Sequence, residues 1–425
     1  MQLRRLFLRY YPPGLRLEYS TADGRTQRRT IDLLQLSAES NLQTVVHSLL
    51  NKERLLTKAH VPTLKALLHR LIEKQLLDAT ERDAFSCVAV LRPHQLPMCN
   101  ATWTKSGSTV ATCGYDKSIR ISKRSGAPST EESSVLTGHE GVVYCVTFNY
   151  PYSRLLLSGS FDKSCRVWDI TSGGVKGVYS SHEGEIVAAT FAPGGEVFAS
   201  GSMDCTAIIW DVATEQERHA LVGHTAEVLC VAFSGNAALL ATGSTDRTVR
   251  LWDARYGACF RALEDSQSGE ISNVQFDFAS NLLLSSSTGG CRVWDVRAGK
   301  CLFDLHDHTG DVTHASFNAT GALFASCGSD GKAFVYDSLT GTKRTALLGH
   351  SKGVNQVCFS MQGSLLLTAS ADSTARLWNP FTGDCLQTLS GHDDEIHSCG
   401  FSYDGSLALT VSTDNSVRMW QREVD

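Results

Sequence analysis

Six of the seven tryptophans in this chain stand on one grid. Trp168, Trp210, Trp252 and Trp294 follow one another at intervals of 42 residues, Trp378 comes 84 further on, and Trp420 another 42 after that. Such a period limits the fold severely. Each unit is one supersecondary element that cannot bury its apolar faces alone, so stability has to come from stacking against its copies. Within residues 223–253, three short runs rich in β-branched residues (228–233, 238–244 and 248–252) are separated by Ser-Gly-Asn and Thr-Asp-Arg turn chemistry. They predict three strands, and a run at 258–263 predicts a fourth, outer strand leading into the next unit.

With a Gly-His pair early and a Trp-Asp pair late, these units resemble the WD40 family over roughly residues 86–421. The resemblance implies a β-propeller. His139, His182, His224, His308, His350 and His392 sit in register, Gln267 fills the slot between His224 and His308, and His94 opens a further unit whose Trp103 aligns with Phe148. The expected fold is therefore mainly β: an eight-bladed WD40 β-propeller over residues 85–425, behind a small α+β domain at 1–84. After Trp420 the remaining tail is too short for a last outer strand, so residues 86–91 are expected to close the ring and protect its sheet edge.

In WD40 blades the Gly-His histidine, a hydroxyl of the second strand, the turn aspartate and the tryptophan form a buried hydrogen-bonded tetrad. The resemblance carries those roles onto His139, Asp162 and Trp168; His182, Asp204 and Trp210; His224, Asp246 and Trp252; His350, Asp372 and Trp378; and His392, Asp414 and Trp420. The hydroxyl beside His224 is Thr242 or Ser244. A nucleophile, a base and an acid also describe a hydrolase triad. Five copies argue instead for a structural fastener, and no catalytic residue or enzymatic activity is expected. Three units depart from the pattern: the first has Ser122 and Lys123 in place of Trp-Asp, the fifth has Gln267 and a shorter turn at Gly289, and the sixth has Tyr336. Blades one and five are expected to be weaker, with faster hydrogen exchange.

Composition fits a scaffold. At 425 residues, 42% hydrophobic and 20% charged, the chain can bury a large core, and no apolar run approaches a membrane span, so no membrane insertion is expected. Charges interrupt the first apolar residues, unlike a signal peptide. The fourteen cysteines begin at Cys87, several in predicted strands (Cys145, Cys230, Cys358), and none shows C-x-x-C spacing; they read as small buried residues in a reducing compartment, without a structural disulfide. Phosphate loops, H-E-x-x-H and dinucleotide fingerprints are missing, so neither cofactor nor metal is expected.

Residues 1–84 do not follow the period. Two alternating runs flank Pro-Pro-Gly within residues 6–19 and predict a β-hairpin with arginine on one face, and 40–50 and 61–72 carry apolar residues at helical spacing, the second opened by Pro62 or capped by Thr63. A hairpin with Arg-Tyr-Tyr-Pro-Pro-Gly at 9–14, then Ile-Asp-Leu-Leu at 31–34, a helical region and an eight-unit WD array resemble the outer row dynein assembly protein family, the dynein assembly factors with WD repeats. That resemblance covers essentially the whole chain. It implies a monomeric adaptor that loads outer-arm dynein onto intraflagellar transport, through a subunit of transport complex B, in the cytoplasm, at the ciliary or flagellar base and in the cilium or flagellum.

Charge points to candidate surfaces. Residues 1–84 carry 14 Lys or Arg against 9 Asp or Glu, so the net −5 of the whole chain conceals a basic front and an acidic remainder. Three residues after the histidine slots come Glu185, Glu227, Glu270, Asp311 and Glu395. They are expected to form an acidic ring on the narrower top face of the propeller, receiving a basic segment of a partner. A second expected surface is a groove between Arg9, Tyr10, Tyr11 and Arg16 and the propeller rim, since a linker of about six residues reaches at most roughly 20 Å and holds the front domain below the ring. Alternative readings are a generic WD40 scaffold and a ubiquitin-ligase substrate receptor, although no F-box pattern stands out. A propeller enzyme would need one singular polar cluster in its channel, and nucleic-acid binding conflicts with the acidic propeller, although the basic front domain leaves it open.

Overall fold

The computed structural model describes residues 2–9, 13–20, 26–33, 36, 42–53, 56–57, 60–80, 84–105, 107–123, 132–150, 152–264 and 269–423. Two compact units emerge, one within residues 1–82 and the other over Asp83–Glu423.

The first unit is built on an antiparallel sheet of β1 (Gln2–Arg9), β2 (Gly14–Ser20) and β3 (Thr26–Asp32), in that order. Alternation decides its faces: Leu15 and Leu17 of β2 are fully buried, with Leu6, Leu8 and Ile31 of the flanking strands packed beside them. Helices α1 (Leu42–Lys52) and α2 (Val61–Thr80) cover that face with Val46 and Leu49 and with Leu64, Leu68 and Leu71. The i, i+3, i+4, i+7 spacing of these residues makes the apolar stripe. Three points correct the sequence reading. The expected hairpin is two strands of a three-stranded sheet, β3 having been hidden by its polar composition. Secondly, α2 runs on to Thr80 instead of ending at residue 72. It also begins at Val61 with Pro62 in its first turn, so Thr63 lies inside the helix and does not cap it. The polar residues of β3 have a use: Arg29 pairs with Glu53, nitrogen to oxygen 3.2 Å, just beyond α1, and Glu53 is 6% exposed.

The second unit is eight four-stranded antiparallel sheets, each a meander of strands a, b, c and d. Blade 1 spans 98–136, blade 2 143–179, blade 3 186–222, blade 4 228–264, blade 5 271–305, blade 6 312–348 and blade 7 354–389. Blade 8 takes strands a to c from 396–422 and its strand d from β4 (Phe85–Leu91). The closing strand is pinned at both sides. Gln387 of blade 7 bonds the N–H and the C=O of Phe85, each at 2.7 Å, and the Glu423 N–H donates to the Ala84 carbonyl at 2.8 Å. From blade 1 round to blade 8 each strand a lies against strand a of the next blade and is innermost, while at the junction of blade 8 with blade 1 strand b of blade 8 meets strand a of blade 1. Strand b is buried along its length, which explains its small and apolar sequence; in blade 4 a Cβ at Gly243 would stand 2.6 Å from Cys230 Sγ and from Ile271 of the next blade. Strand d is mostly exposed at the rim, with one buried residue near its end, Leu263 in blade 4.

Because the strands are antiparallel, all d–a loops and b–c turns lie on one face of the ring. That is the top face, and the a–b and c–d turns occupy the other.

Candidate functional site

The b–c turn forces a tight reversal in which residues such as Arg247 adopt positive φ, here 66°. A side chain in that region costs of order 1 kcal/mol or more, so the turn needs outside support. The tetrad supplies it. In blade 4 the Asp246 carboxylate accepts the N–H and hydroxyl of Thr248 (2.9 and 2.7 Å) and the N–H of Thr225 (3.0 Å), and stands 2.8 Å from His224 Nδ1. His224 Nε2 lies 2.7 Å from Thr242 Oγ1, and the Trp252 indole N–H donates to the same oxygen at 2.9 Å. Thr242 is therefore the partner left open above, while the Ser244 hydroxyl donates to the Ala226 carbonyl at 3.0 Å.

Burial pushes the His224 pKa down and outweighs the opposing pull of Asp246. The ring is neutral at pH 7, its Nδ1–H donating to the carboxylate and its Nε2 accepting the threonine proton. Burial tends to raise Asp246, but hydrogen bonds from Thr248, Thr225 and His224 prevail and hold it at about 2. The same geometry recurs around His139, Asp162, Ser158 and Trp168; His182, Asp204, Ser200 and Trp210; His350, Asp372, Thr368 and Trp378; and His392, Asp414, Thr410 and Trp420.

This connectivity is that of a hydrolase triad, but its surroundings are not. Ser158, Ser200, Thr242, Thr368 and Thr410 are all 0% exposed, and an indole N–H already occupies each oxygen. No substrate carbonyl can approach them. They fasten the turn.

The irregular blades differ in how much they lose. Blade 1 lacks the tryptophan, yet His94 bridges Asp116 (2.8 Å) and Thr112 (2.9 Å). Blade 6 keeps His308 with Asp330 and Ser326, and its Tyr336 hydroxyl donates to Asp307 at 3.1 Å. Among the described residues blade 5 retains the Trp294 to Ser285 bond of 2.9 Å, and Gln267 lies outside them.

The five acids occupy equivalent places on the top face. In every blade the first b–c turn residue donates its N–H to the slot carbonyl, at Glu185, Glu227, Glu270, Asp311 and Glu395 and equally at Pro97, Val142 and Gly353. The acids therefore form an arc across four successive blades, 3 to 6, with Glu395 apart on blade 8, where a ring had been expected. Glu185 is half-buried and the others are exposed. The Thr245 hydroxyl donates to Glu227 Oε2 at 2.6 Å, which holds that carboxyl below its usual pKa.

On the first unit, Arg9 is committed to an ion pair with Asp32, while Arg16 is exposed opposite Phe7, itself 41% exposed. Tyr10 and Tyr11 lie outside the described residues. Burial pushes the thiol pKa of Cys145, Cys230 and Cys327 up to about 12, so these groups are inert fillers of the blades. No helix among the described residues is long and apolar enough to cross a membrane.

A ring of repeated meanders with buried fasteners and variable loops defines a propeller scaffold. The family described as WD40, the WD domain or G-beta repeat, matches residues 85–121, 130–169, 173–211, 215–253, 257–295, 299–337, 341–379 and 383–421, and the chain belongs to it. Each matched repeat begins on strand d of one blade and ends on strand c of the next, the offset that lets β4 close the circle. Among relatives, the chain is similar to Dynein assembly factor with WD repeat domains 1 from Homo sapiens, 38% identical over 152 residues, and to its Xenopus laevis counterpart at 39%. Each alignment covers 36% of this chain and 35% of the relative, so the match spans about a third of those proteins. Among solved structures, the crystal structure of the computationally designed Ika8 protein superposes with a TM-score of 0.70 at 25% identity, covering 79% of this chain and 99% of that one.

Proposed function

We propose that this protein is a non-enzymatic adaptor in dynein assembly, linking outer-arm dynein to the intraflagellar transport machinery in the cytoplasm, at the ciliary base and in the cilium or flagellum. The observation that carries this reading is the 38–39% identity over 152 residues to proteins named as dynein assembly factors. Two physical features support it. The buried fasteners leave the loops of the propeller free to vary in contact chemistry without cost to the core. The chain also offers two surfaces of opposite charge: the acidic arc of Glu185, Glu227, Glu270 and Asp311, and the basic front unit with exposed Arg16. An adaptor needs at least two such surfaces, and the arc suits a basic partner segment.

Affinity purification of the full chain from ciliated cells tests the reading, with a Glu227→Lys, Glu270→Lys variant in parallel. Outer-arm dynein and transport-complex subunits should co-purify with the unaltered chain. The variant should keep its melting temperature and recover about tenfold less of one partner. Recovery of ligase subunits, or of neither machinery, would overturn the assignment.

A further inference from the structure

The inner strands follow a rule around the ring: the fourth residue of strand a faces the previous blade and the fifth faces the next. Ala232 and Val274 share the core between blades 4 and 5 in this way, and the Ser316 hydroxyl of blade 6 donates to the Val357 carbonyl of blade 7 at 3.2 Å. Between blades 7 and 8 these two positions hold Cys358 and Cys399, whose sulfurs stand 4.0 Å apart. No other junction places two cysteines there. The repeat therefore makes no demand for this pair, and all fourteen cysteines of the chain are free thiols.

The two thiols differ in their surroundings. Cys399 is 6% exposed, its Sγ lies 3.8 Å from the Leu367 carbonyl, and its N–H donates to Gln356 Oε1 of blade 7 at 2.9 Å, so it is held in place against that blade. Burial, and then its contact with Cys358, push the Cys399 thiol well above its usual pKa, so it keeps its proton. Cys358 is only half-buried on the innermost strand, which leaves its sulfur open to a small solute. Blade 8 is also the blade assembled from distant stretches, 396–422 and β4, so the pairing of its outer strand is secured by no turn.

We infer that Cys358 and Cys399 form a reversible disulfide when the protein meets a hydroperoxide, and that this bond ties the closing blade to blade 7. The Cys358 sulfur takes one peroxide oxygen and becomes a sulfenic acid as the O–O bond breaks; the other oxygen leaves, with the thiol proton, as water or an alcohol. The Cys399 sulfur then attacks the Cys358 sulfur. The S–O bond breaks, and the hydroxyl departs as water with the Cys399 proton. Together the two thiols lose two electrons and the peroxide gains them. A disulfide holds its sulfurs about 2 Å apart, and rotation about the Cα–Cβ bonds can supply the remaining approach. Exchange with glutathione returns both thiols.

Treatment of the full chain with hydrogen peroxide in native buffer tests this, with peptide mass spectrometry after the remaining thiols are alkylated. A cross-linked peptide pair two hydrogens lighter than its reduced parts should join Cys358 to Cys399, and the melting temperature should rise by about 5 °C. Reduced glutathione should reverse both. In Cys399→Ala the sulfenic acid on Cys358 has no second thiol, so its labelling by dimedone should increase about tenfold; Cys358→Ser should abolish both label and cross-link, and Cys327→Ala, which removes a buried thiol of blade 6, should leave the cross-link intact. Should Cys399→Ala fail to fold, the cross-link in the unaltered chain and Cys358→Ser still decide. Oxidation confined to the exposed Cys87, Cys259, Cys301 and Cys385, or a Cys358–Cys399 link that forms only in denaturing urea, would overturn the inference. So would a link that leaves the melting temperature unchanged or lowers it.

Discussion

Blades 4 and 5 are neighbours with the same strand order, and they are held together by different means. Blade 4 is fastened from within: one buried aspartate, one neutral histidine, one threonine and one indole satisfy each other around its b–c turn. Blade 5 has lost the aspartate, and its turn shortens to Thr288 and Gly289. It is tied from outside. The Ser272 hydroxyl donates to the Val312 carbonyl (3.0 Å), the Asn273 amide to the Ala315 carbonyl (3.2 Å), and Gln275 Oε1 accepts the Phe317 N–H (2.8 Å), all on strand a of blade 6. At its rim His306 bonds the Gly289 carbonyl (2.8 Å) while Arg292 and His306 share Asp304. The corresponding inner strand of blade 4 offers Leu229, Cys230 and Ala232, of which only the thiol reaches blade 5, at 4.0 Å from the Ile271 carbonyl. Such ties are not reserved for a blade without a fastener: blade 7 keeps its tetrad and still donates from the Asn355 amide to the Ile396 carbonyl (2.9 Å) and accepts the Cys399 N–H on Gln356 Oε1 (2.9 Å), so what sets blade 5 apart is the lost aspartate, and what sets blade 4 apart is its apolar inner strand.

The largest effect should separate the two blades most cleanly. Thr242→Val strands both His224 Nε2 and the Trp252 N–H in a dry core, and should cost about 3 kcal/mol in urea unfolding. Ser285→Ala in blade 5 strands only the Trp294 N–H and should cost about half as much. Equal losses would break the contrast. Next, Asn273→Ala with Gln275→Ala should cost about 2 kcal/mol and speed hydrogen exchange across the boundary in strand a of blade 6, while Cys230→Ala in blade 4 should leave exchange in blade 5 unchanged.

Acid should sharpen the comparison further. His224 is held by burial below its usual value of 6.5, so as pH falls the unfolded chain takes up the proton first, and stability present at pH 7 is lost below about 6.5. Asp246, at about 2, adds stability that is present above its usual 3.8 and is lost as pH falls from there toward 2. The unfolding midpoint should therefore drop in two stages on acidification, and His224→Gln should remove only a part of the first, because burial lowers His182, His350 and His392 in the same way; a midpoint that rises between pH 7 and 5 would contradict the assignment. The smallest expected effect is at the rim of blade 5. Asp304 is held below its usual pKa, burial being outweighed by Arg292, but its side chain is 41% exposed, so Asp304→Asn should cost only about 0.5 kcal/mol at low salt and less at high salt.

Much of this was legible in the sequence because it repeats. The register of the histidine slots yields eight blades, and β4 closes the circle by pairing with strand c of blade 8. The tetrads were legible for the same reason, down to the choice between Thr242 and Ser244, which strand register alone decides: Thr242 pairs with Val231 and Arg250, whereas Ser244 pairs with Val228 at the strand end beside the turn. Weakness in blade 1 was expected from its missing tryptophan, but His94, Asp116 and Thr112 carry three of the four roles. β3 is not legible because Arg28, Arg29 and the threonines beside them lack an alternating apolar pattern; the exposed Arg29 pairs with the buried Glu53, which no local pattern announces.

The sequence by itself determined the architecture of this protein. A period of 42 with a histidine, an aspartate and a tryptophan at constant offsets admits one kind of ring, since identical units bury their faces only against each other. Tertiary structure alone decided which residues act across blades: Ser272, Asn273 and Gln275 secure a blade other than their own. Those contacts join residues about a repeat apart, brought together by the curvature of the ring. Local pattern is blind to that distance, because it records the period of a strand and not the neighbour that closure places beside it.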